Sequence, residues 1–262
     1  MATTLVPGNW IVWRCNICGR TCRTVLAELG REKPSCPGCS STVRMRAIIH
    51  LLSSELFGRS VALPDFPKRK DLHGMGLSDW DGYAIRLAEK LDYKNTYYHK
   101  EPKLDITSIE PALEGTLDFL ISTDVFEHIP PPISVAFENA RKLLKRSGAL
   151  VFTVPYTNEL STVEHFPDLF QYELVEENGH KVLNNTTRAG EHQVFRDLVF
   201  HGGEGWTLEM RVFSEAEVMK EFARVGLRSV TLWREPCMAY GIYWAYAWSL
   251  PITARLVPEP VS

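Results

Sequence analysis

Residues 117–156 read LDFLISTDVFEHIPPPISVAFENARKLLKRSGALVFTVPY. The runs 117–123 and 149–154 are apolar and rich in β-branched and aromatic residues, as strands covered on both faces are. Between them, apolar residues recur at helical spacing from Ile133 to Leu144, and Gly148 is placed to end the helix. The stretch therefore predicts a strand, a helix and a second strand of an open α/β sheet.

An acid-rich turn, Asp124 to Ile129, follows the first of these strands. Ligands of open α/β sheets bind beyond the carboxyl ends of the strands. The turn is therefore a candidate part of a binding site. An ordinary βαβ unit with a charged loop explains the same pattern and remains the alternative.

The composition is that of a globular protein. The chain has 262 residues, 45% hydrophobic and 23% charged, with a formal net charge of −3. This length accommodates one large domain and a small appendage. The negative charge disfavours nucleic acid as a partner. The first residues lack the basic start and apolar core of a signal peptide, and the aromatic run 240–250 is too short to span a bilayer, so we expect a cytoplasmic protein.

Five of the six cysteines lie in the first 40 residues. Four of them form two Cys-x-x-Cys pairs that are 17 residues apart: Cys15, Cys18, Cys36 and Cys39. This spacing predicts a structural zinc site with four thiolate ligands, which leaves no open coordination position. A secreted disulfide framework and a redox pair are less consistent with the pattern, and Cys22 could replace one of the four. We expect a zinc ribbon at 1–43 and one α/β domain at 44–262.

The following segment contains further elements of the expected sheet. Residues 43–57 have the periodicity of a helix. Gly74, Gly76 and Ser78 predict a small-residue turn between a strand and a helix, with Ser78 or Asp79 as the helix cap. Residues 95–99 are expected to form the next strand. Glu101 follows it, and an acid at this position can accept hydrogen bonds from both ribose hydroxyls.

Taken in order, these motifs resemble a class I S-adenosylmethionine-dependent methyltransferase, of the methyltransferase type 11-like kind with an N-terminal zinc ribbon. The likeness covers about residues 66–156 well and continues more loosely through Phe213 to Trp233. It implies a Rossmann-like sheet with helices on both faces. The sequence departs from the family pattern at Leu72, where an acid is usual, at Ser78, where a third glycine is usual, and at Ser147-Gly148, where two glycines are usual.

The resemblance also implies roles for individual residues. Glu101 would bind the ribose, Asp105 the adenine amino group, and Ile106 would pack on the adenine ring. Thr123 and Asp124 would close the site near the methionine amino group, with Glu127 and His128 on the substrate side. The backbone near the methionine moiety and the start of the next helix would comprise Gly74, Met75, Gly76, Ser78 and Asp79.

Residues 157–212 form an insertion that is longer than a typical loop and therefore predicts a functional cap. Two extended segments, 197–200 and 208–212, are expected to form a hairpin around Gly202-Gly203-Glu204-Gly205, with His201 at its tip. His201 and His128 are the candidate general bases, because an imidazole titrates near neutral pH. The aromatic tail 233–248 is expected to form a strand pair and a packing surface, or part of a homo-oligomer interface.

Three functions remain open on sequence alone. The first is S-adenosylmethionine-dependent methyl transfer to a small molecule, such as a hydroxyl of a saccharide or another metabolite. The second is a nucleic-acid or protein methyltransferase that uses the ribbon as a reader. The third is a non-catalytic module that only binds S-adenosylmethionine.

Overall fold

The computed structural model describes residues 5–6, 10–201 and 207–256. The predicted turn 202–205 lies outside this range. Within it, no helix is both long enough and apolar enough to cross a membrane.

The N-terminal region is a three-stranded antiparallel sheet made of β1 (Leu5–Val6), β2 (Trp10–Arg14) and β3 (Thr21–Val25). It is followed by α1 (Val43–Phe57), which has the predicted bounds. The Thr42 hydroxyl accepts a hydrogen bond from the Met45 amide and caps this helix. Gly58 ends it in the left-handed conformation, at φ 65°, that glycine adopts readily.

The central unit alternates strands and helices along the chain. Its elements are β4 (Arg69–Leu77), α2 (Asp81–Lys90), β5 (Leu91–Thr96), β6 (Leu117–Thr123), α3 (Ser134–Leu143) and β7 (Leu144–Thr153). β4 pairs in parallel with β5 on one side and with β6 on the other, and β6 pairs in parallel with β7. The strand order therefore reverses direction at β4.

The insertion contributes β8 (Tyr156–Thr157), β9 (Val163–Glu164), β10 (Gln171–Glu177), β11 (His180–Thr186), β12 (His192–Phe195) and β13 (Arg211–Ser214). β10, β11 and β12 form an antiparallel sheet, and β13 pairs with β8 and β9. The segments on either side of residues 202–206 pair antiparallel through a Phe200–Leu208 bridge, so the described part of the predicted hairpin is confirmed.

The chain then returns to the main sheet through α4 (Glu215–Arg224), β14 (Leu227–Leu232) and β15 (Ile252–Leu256). β15 is antiparallel to both β7 and β14, and the full order is β14-β15-β7-β6-β4-β5. This mixed sheet with its helices is a Rossmann-like α/β fold, as expected. The predicted strand pair in the aromatic tail is wrong, because Met238–Tyr240 forms a short 3-10 turn there.

Within residues 117–156 the first strand has the predicted bounds, but the helix ends at Leu143 and the second strand starts at Leu144. Gly148 therefore does not end the helix. It lies inside β7, where the register with β6 shifts, and a Cβ at this position would come within 2.8 Å of the Leu117 carbonyl oxygen. The glycine allows the two backbones to approach closely at this irregularity.

The predicted glycine turn is wrong in a similar way. Gly74 and Gly76 lie inside β4 and pair with both neighbouring strands. The cap expected from Ser78 or Asp79 is also wrong, because α2 begins after Trp80 without a side-chain cap. β5 runs from Leu91 to Thr96 rather than over residues 95–99.

The ribbon does not stand apart from the α/β unit. Ile11 and Trp13 of β2 belong to the same buried cluster as Phe119 of β6 and Val151 of β7. Helix α1 joins this cluster through a buried face that includes Ile48. The ribbon thus packs against the central sheet of the same chain. The boundary at residue 43 stays a prediction.

We expect Gly74→Ala to destabilise the fold by about 1–3 kcal/mol, the usual range for overpacking a core. A Cβ at Gly74 would lie 2.1 Å from the ring of Phe119, which is fully buried and cannot move aside. Urea denaturation of both proteins measures the difference. Gly30→Ala is the control, because a Cβ there would meet only the exposed Lys33, at 3.0 Å from its Cβ and 3.7 Å from its backbone nitrogen. Equal stability of Gly74→Ala and wild type would contradict the packing described for β4.

Candidate functional site

The four predicted zinc ligands are brought together at the tip of the ribbon. The sulfur atoms of Cys15, Cys18, Cys36 and Cys39 all lie within 4.8 Å of one another. The Cys15–Cys39 and Cys18–Cys36 sulfur distances are both 3.6 Å. Tetrahedral zinc with Zn–S bonds of about 2.3 Å requires sulfurs roughly 3.8 Å apart. The cluster therefore fits a structural zinc ion.

A buried arginine lies next to this cluster. Arg46 of α1 donates to the carbonyl oxygens of Ser41 and Gly241 at 2.7 and 2.8 Å, and its guanidinium stacks on Trp13. Burial lowers the pKa of Arg46 to about 10, and the neighbouring cysteines, Cys15 first among them, oppose this. The side chain therefore stays cationic at neutral pH. Its charge offsets part of the negative charge of four thiolates.

The main sheet carries a cavity of about 690 Å³ at the carboxyl ends of β4, β5 and β6. This is the place where open α/β sheets bind ligands, at the point where the strand order reverses. Mostly apolar residues form its wall. The lining comprises Leu77, Ser78, Thr96, Tyr97, Tyr98, Leu104, Asp105, Ile106, Thr107, Val125, His128, Ile129, Pro130, Pro131, Pro132, Val135, Tyr172, Leu174, Leu208 and Met210.

Four of the predicted site residues line this cavity: Ser78, Asp105, Ile106 and His128. Ser78 follows β4 at φ 56°, a conformation that favours glycine, so this serine occupies the turn that the sequence assigned to glycines. Asp105 Oδ1 accepts from the amide and hydroxyl of Thr107, which fixes the direction of its carboxyl group.

The remaining cofactor predictions fall elsewhere. Gly74, Met75 and Gly76 are strand residues of β4 and are not part of the lining. Glu101 is exposed, does not line the cavity, and accepts a hydrogen bond from the Lys103 amide. Tyr97 and Tyr98 hold the positions at the end of β5 instead.

Asp79 is buried beneath the cavity rather than exposed at a helix end. Its carboxylate accepts hydrogen bonds of 2.6 Å from the hydroxyls of Tyr83 and Tyr93, and Thr123 approaches it at 3.4 Å. Burial raises the pKa of Asp79 to about 7 despite these three hydroxyls. A Cβ at Gly76 would lie 2.1 Å from this carboxylate, which explains the need for glycine in β4.

Asp124, at the end of β6, is held by two arginines from outside the sheet. Arg31 of the ribbon contacts both carboxylate oxygens at 2.9 and 3.0 Å, and Arg44 of α1 lies at 3.1 Å. Burial alone would raise the pKa of Asp124, but the charges of Arg31 and Arg44 outweigh it and hold the pKa well below its ordinary value. Sequence reasoning missed both arginines, because no motif links residues so far from β6.

The rest of the acid-rich turn faces the insertion. Glu127 is 1% exposed, and burial raises its pKa well above the ordinary range, with the charge of Asp124 adding to the effect. His128 Nδ1 lies 3.0 Å from the carbonyl oxygen of Leu208. Because a carbonyl only accepts, Nδ1 carries the proton and Nε2 of the neutral ring is free to accept one. Burial also lowers the pKa of His128, which favours the neutral ring.

His201 lies beside His128, with their ring centroids 5.3 Å apart. Its Nε2 is 2.6 Å from one oxygen of Glu209, whose other oxygen is 3.0 Å from Nε2 of His165. The two predicted bases are thus brought together, and Glu209 joins them to a third histidine. The sequence signal for Glu209 was weak, since it is a single acid inside the segment 208–212 that was predicted to be extended.

Comparison with known proteins gives only distant similarities. No family model matches the chain, and no curated protein matches it. An S-adenosylmethionine-dependent methyltransferase from Clostridium acetobutylicum is 12% identical, with 79% of this chain and 96% of that one covered and a TM-score of 0.42. A sugar N-methyltransferase from a Streptoalloteichus species is 11% identical, with coverages of 82% and 87% and a TM-score of 0.44.

A third solved structure is the 1,6-didemethyltoxoflavin N1-methyltransferase of Burkholderia thailandensis with S-adenosylhomocysteine bound. It is 13% identical, with 81% of this chain and 77% of that one covered, at a TM-score of 0.43. Similarities this distant establish nothing about activity. The fold assignment rests on the strand order and directions of the sheet.

We expect about one zinc ion per chain by metal analysis, since the four-sulfur cluster matches the geometry of one tetrahedral site. Cys36→Ser should lose the metal and lower the melting temperature. Cys237→Ser is the control, because this cysteine lies outside the cluster. A wild-type protein purified without chelator that contains no zinc would contradict the assignment, and so would a zinc content unaffected by Cys36→Ser.

We expect Asp79 to make stability fall as the pH rises. Its folded pKa of about 7 exceeds the roughly 3.9 of an unfolded aspartate, so its contribution is fully present below about pH 4 and is lost as the pH rises through 7. Urea denaturation between pH 4 and 8 should show a steeper fall in wild type than in Asp79→Asn, by at most about 1.4 kcal/mol per pH unit.

The exposed Asp197 provides the matched control, because Asp197→Asn changes the same group in solvent. Its pH profile should follow that of wild type. If the stability of Asp79→Asn changes with pH as that of wild type does, the carboxyl with the raised pKa is not that of Asp79.

Proposed function

We propose that this chain is an S-adenosylmethionine-dependent methyltransferase that acts on a small-molecule acceptor. The observation that carries the proposal is the cavity at the carboxyl ends of β4, β5 and β6, where the strand order reverses. Its volume of about 690 Å³ is ample for a nucleoside-sized ligand, because ligand sites commonly measure about 300–1,000 Å³. A structural zinc ion in the ribbon is part of the same proposal.

The cavity fits the adenosine part of this cofactor. Leu77, Ile106 and Val125 provide apolar walls for a flat ring, and the oriented Asp105 carboxylate can accept from an exocyclic amino group. We assign Asp105 and Ile106 to the adenine on this basis. Tyr97 and Tyr98, rather than Glu101, are assigned to the ribose side of the cavity.

The residues that we assign to the methionine part of the cofactor differ from the family pattern. Thr123 and Asp124 end β6 at this side, and Asp79 lies behind Thr123. Since Arg31 and Arg44 hold Asp124, we include them in the methionine end of the site. The glycine-free turn Ser78–Trp80 is what distinguishes this end from the family pattern.

When bound, the cofactor supplies a methyl group that its sulfonium already activates, and a nucleophile must attack this methyl. The chain then has to orient the acceptor and remove its proton. His128 suits the second task, because Nε2 carries the lone pair of its neutral ring, its lowered pKa favours that neutral ring, and it lines the cavity. We assign it as the general base, with His201 beside it as the second candidate.

A small-molecule acceptor is favoured over a macromolecule by two features. The insertion forms part of the cavity wall through Tyr172, Leu174, Leu208 and Met210, so the site is a concave pocket rather than a flat surface. The net charge of −3 also disfavours nucleic acid. Ser78, where the family has its third glycine, and Leu72, where it has an acid, favour one competing function, a binding module without catalysis.

Isothermal titration with S-adenosylmethionine and S-adenosylhomocysteine tests the proposal. Both ligands should bind wild type, and Asp105→Ala should weaken binding about tenfold or more, because a hydrogen bond to a charged group is worth roughly 1.5–3 kcal/mol. Glu101→Ala is the matched control and should bind like wild type, since Glu101 does not line the cavity.

Failure of wild type to bind either ligand at millimolar concentration would exclude both the enzyme and the binding module. Unchanged affinity in Asp105→Ala would contradict the assignment of the adenine to this cavity. Binding without methyl transfer to any of a panel of hydroxylated and amino metabolites would favour the binding module.

A further inference from the structure

Glu209 contacts two histidines, His165 and His201, next to the proposed general base His128. It is only 8% exposed, yet it carries a carboxylate that contacts His201 at 2.6 Å and His165 at 3.0 Å. One carboxylate thus joins two imidazoles, each through Nε2. Burial of an acid is costly unless its oxygens are hydrogen-bonded, and the two rings supply those bonds.

The chemistry of these contacts fixes where the protons are. An ionised carboxylate only accepts hydrogen bonds, so Nε2 of both His165 and His201 must carry a hydrogen. The neutral form of each ring then accepts a proton only at Nδ1. His128 has the opposite arrangement, with its hydrogen on Nδ1 and its lone pair on Nε2.

The backbone holds this cluster against the cavity. Leu208 and Met210, on either side of Glu209, both line the cavity. The Met210 amide donates to the carbonyl oxygen of Glu127, and the Glu209 amide donates to that of Val199, each at 2.8 Å. His201 is therefore fixed relative to His128 by a segment that also lines the cavity.

We propose that Glu209 is a positioning residue that sets the tautomer and direction of His201, so that the neutral ring of His201, beside the cavity-lining His128, accepts hydrogen bonds only at Nδ1. Together with Nε2 of His128, this favours a methyl acceptor that brings an O–H or N–H group, either a hydroxyl or an amine. The inference about Glu209 and the tautomers stands on geometry alone. Its link to the acceptor rests on the proposed methyltransferase function.

Nuclear magnetic resonance of the protein labelled with ¹⁵N at histidine tests the proposal, because long-range ¹H–¹⁵N spectra distinguish the two neutral tautomers. The spectra are recorded at a pH at which the rings are neutral, and His165→Gln and His201→Gln assign the signals. In wild type, His165 and His201 should both carry the hydrogen on Nε2, and His128 should carry it on Nδ1.

Glu209→Gln is the decisive variant. The amide of glutamine can accept from one imidazole but must donate to the other, so His165 or His201 should change to the tautomer with hydrogen on Nδ1. Glu173→Gln, an exposed change in the same insertion, is the control and should leave all three tautomers unchanged.

A hydrogen on Nδ1 of His201 in wild type would overturn the proposal even if Glu209→Gln fails to fold. Unchanged tautomers in a folded Glu209→Gln protein would overturn it as well. Titration with S-adenosylmethionine is a separate readout, so loss of the proposed function and loss of this inference give different results.

Discussion

The ion pair between Asp124 and its two arginines is the contact on which the arrangement of the site depends. Asp124 is only 19% exposed at the end of β6, and a carboxylate there is unfavourable without charged partners. Its partners, Arg31 and Arg44, come from the ribbon and from α1. The central sheet supplies one hydrogen bond to this carboxylate, from the Thr153 hydroxyl of β7 at 2.7 Å, but both charged partners come from outside the sheet.

The proposed zinc site would act on this ion pair at a distance. Arg31 lies between the two cysteine pairs in sequence, and Arg44 follows the second pair by five residues. A metal held by both pairs would therefore also fix where the chain enters α1. Arg46, buried between the cysteine cluster and the Gly241 carbonyl, adds a second attachment to the α/β unit. Folding of the ribbon and formation of the site are coupled through these three arginines.

Local patterns predicted the fold well because its main signals lie within short windows. The strand 117–123 and the helix 43–57 have their predicted bounds, and the cysteine spacing brought four sulfurs together. The predictions were wrong where the type of a residue is determined by its contact with a residue distant in sequence. Gly74 and Gly76 resemble a ligand-binding turn, but they are small because Phe119 and Asp79 occupy the space beside them. Periodicity does not report such contacts.

The same reason limits what the sequence reveals about the site. The family resemblance implied that Asp105, Ile106 and Ser78 belong to the site, and all three line the cavity at the edge where neighbouring strands end. Arg31, Arg44 and Glu209 could not be predicted, because their partners are set by how the ribbon and the insertion fold over the sheet. Glu101 shows the reverse case, since it has the right chemistry and sequence position but lies outside the lining.

The ribbon and the insertion are both additions to the Rossmann-like sheet, and arginines on either side hold the turn after β6. On one side Arg31 and Arg44 hold Asp124; on the other, the fully buried Arg211 donates to the carbonyl oxygens of Phe126 and Ile129 at 2.9 and 2.6 Å. The turn is thus fixed at both ends by arginines that do not belong to the Rossmann-like sheet. Since His128 lies between these attachments, its direction is set jointly by the ribbon and the insertion. A change in either addition should therefore alter the geometry of the proposed base even when the cavity itself is intact.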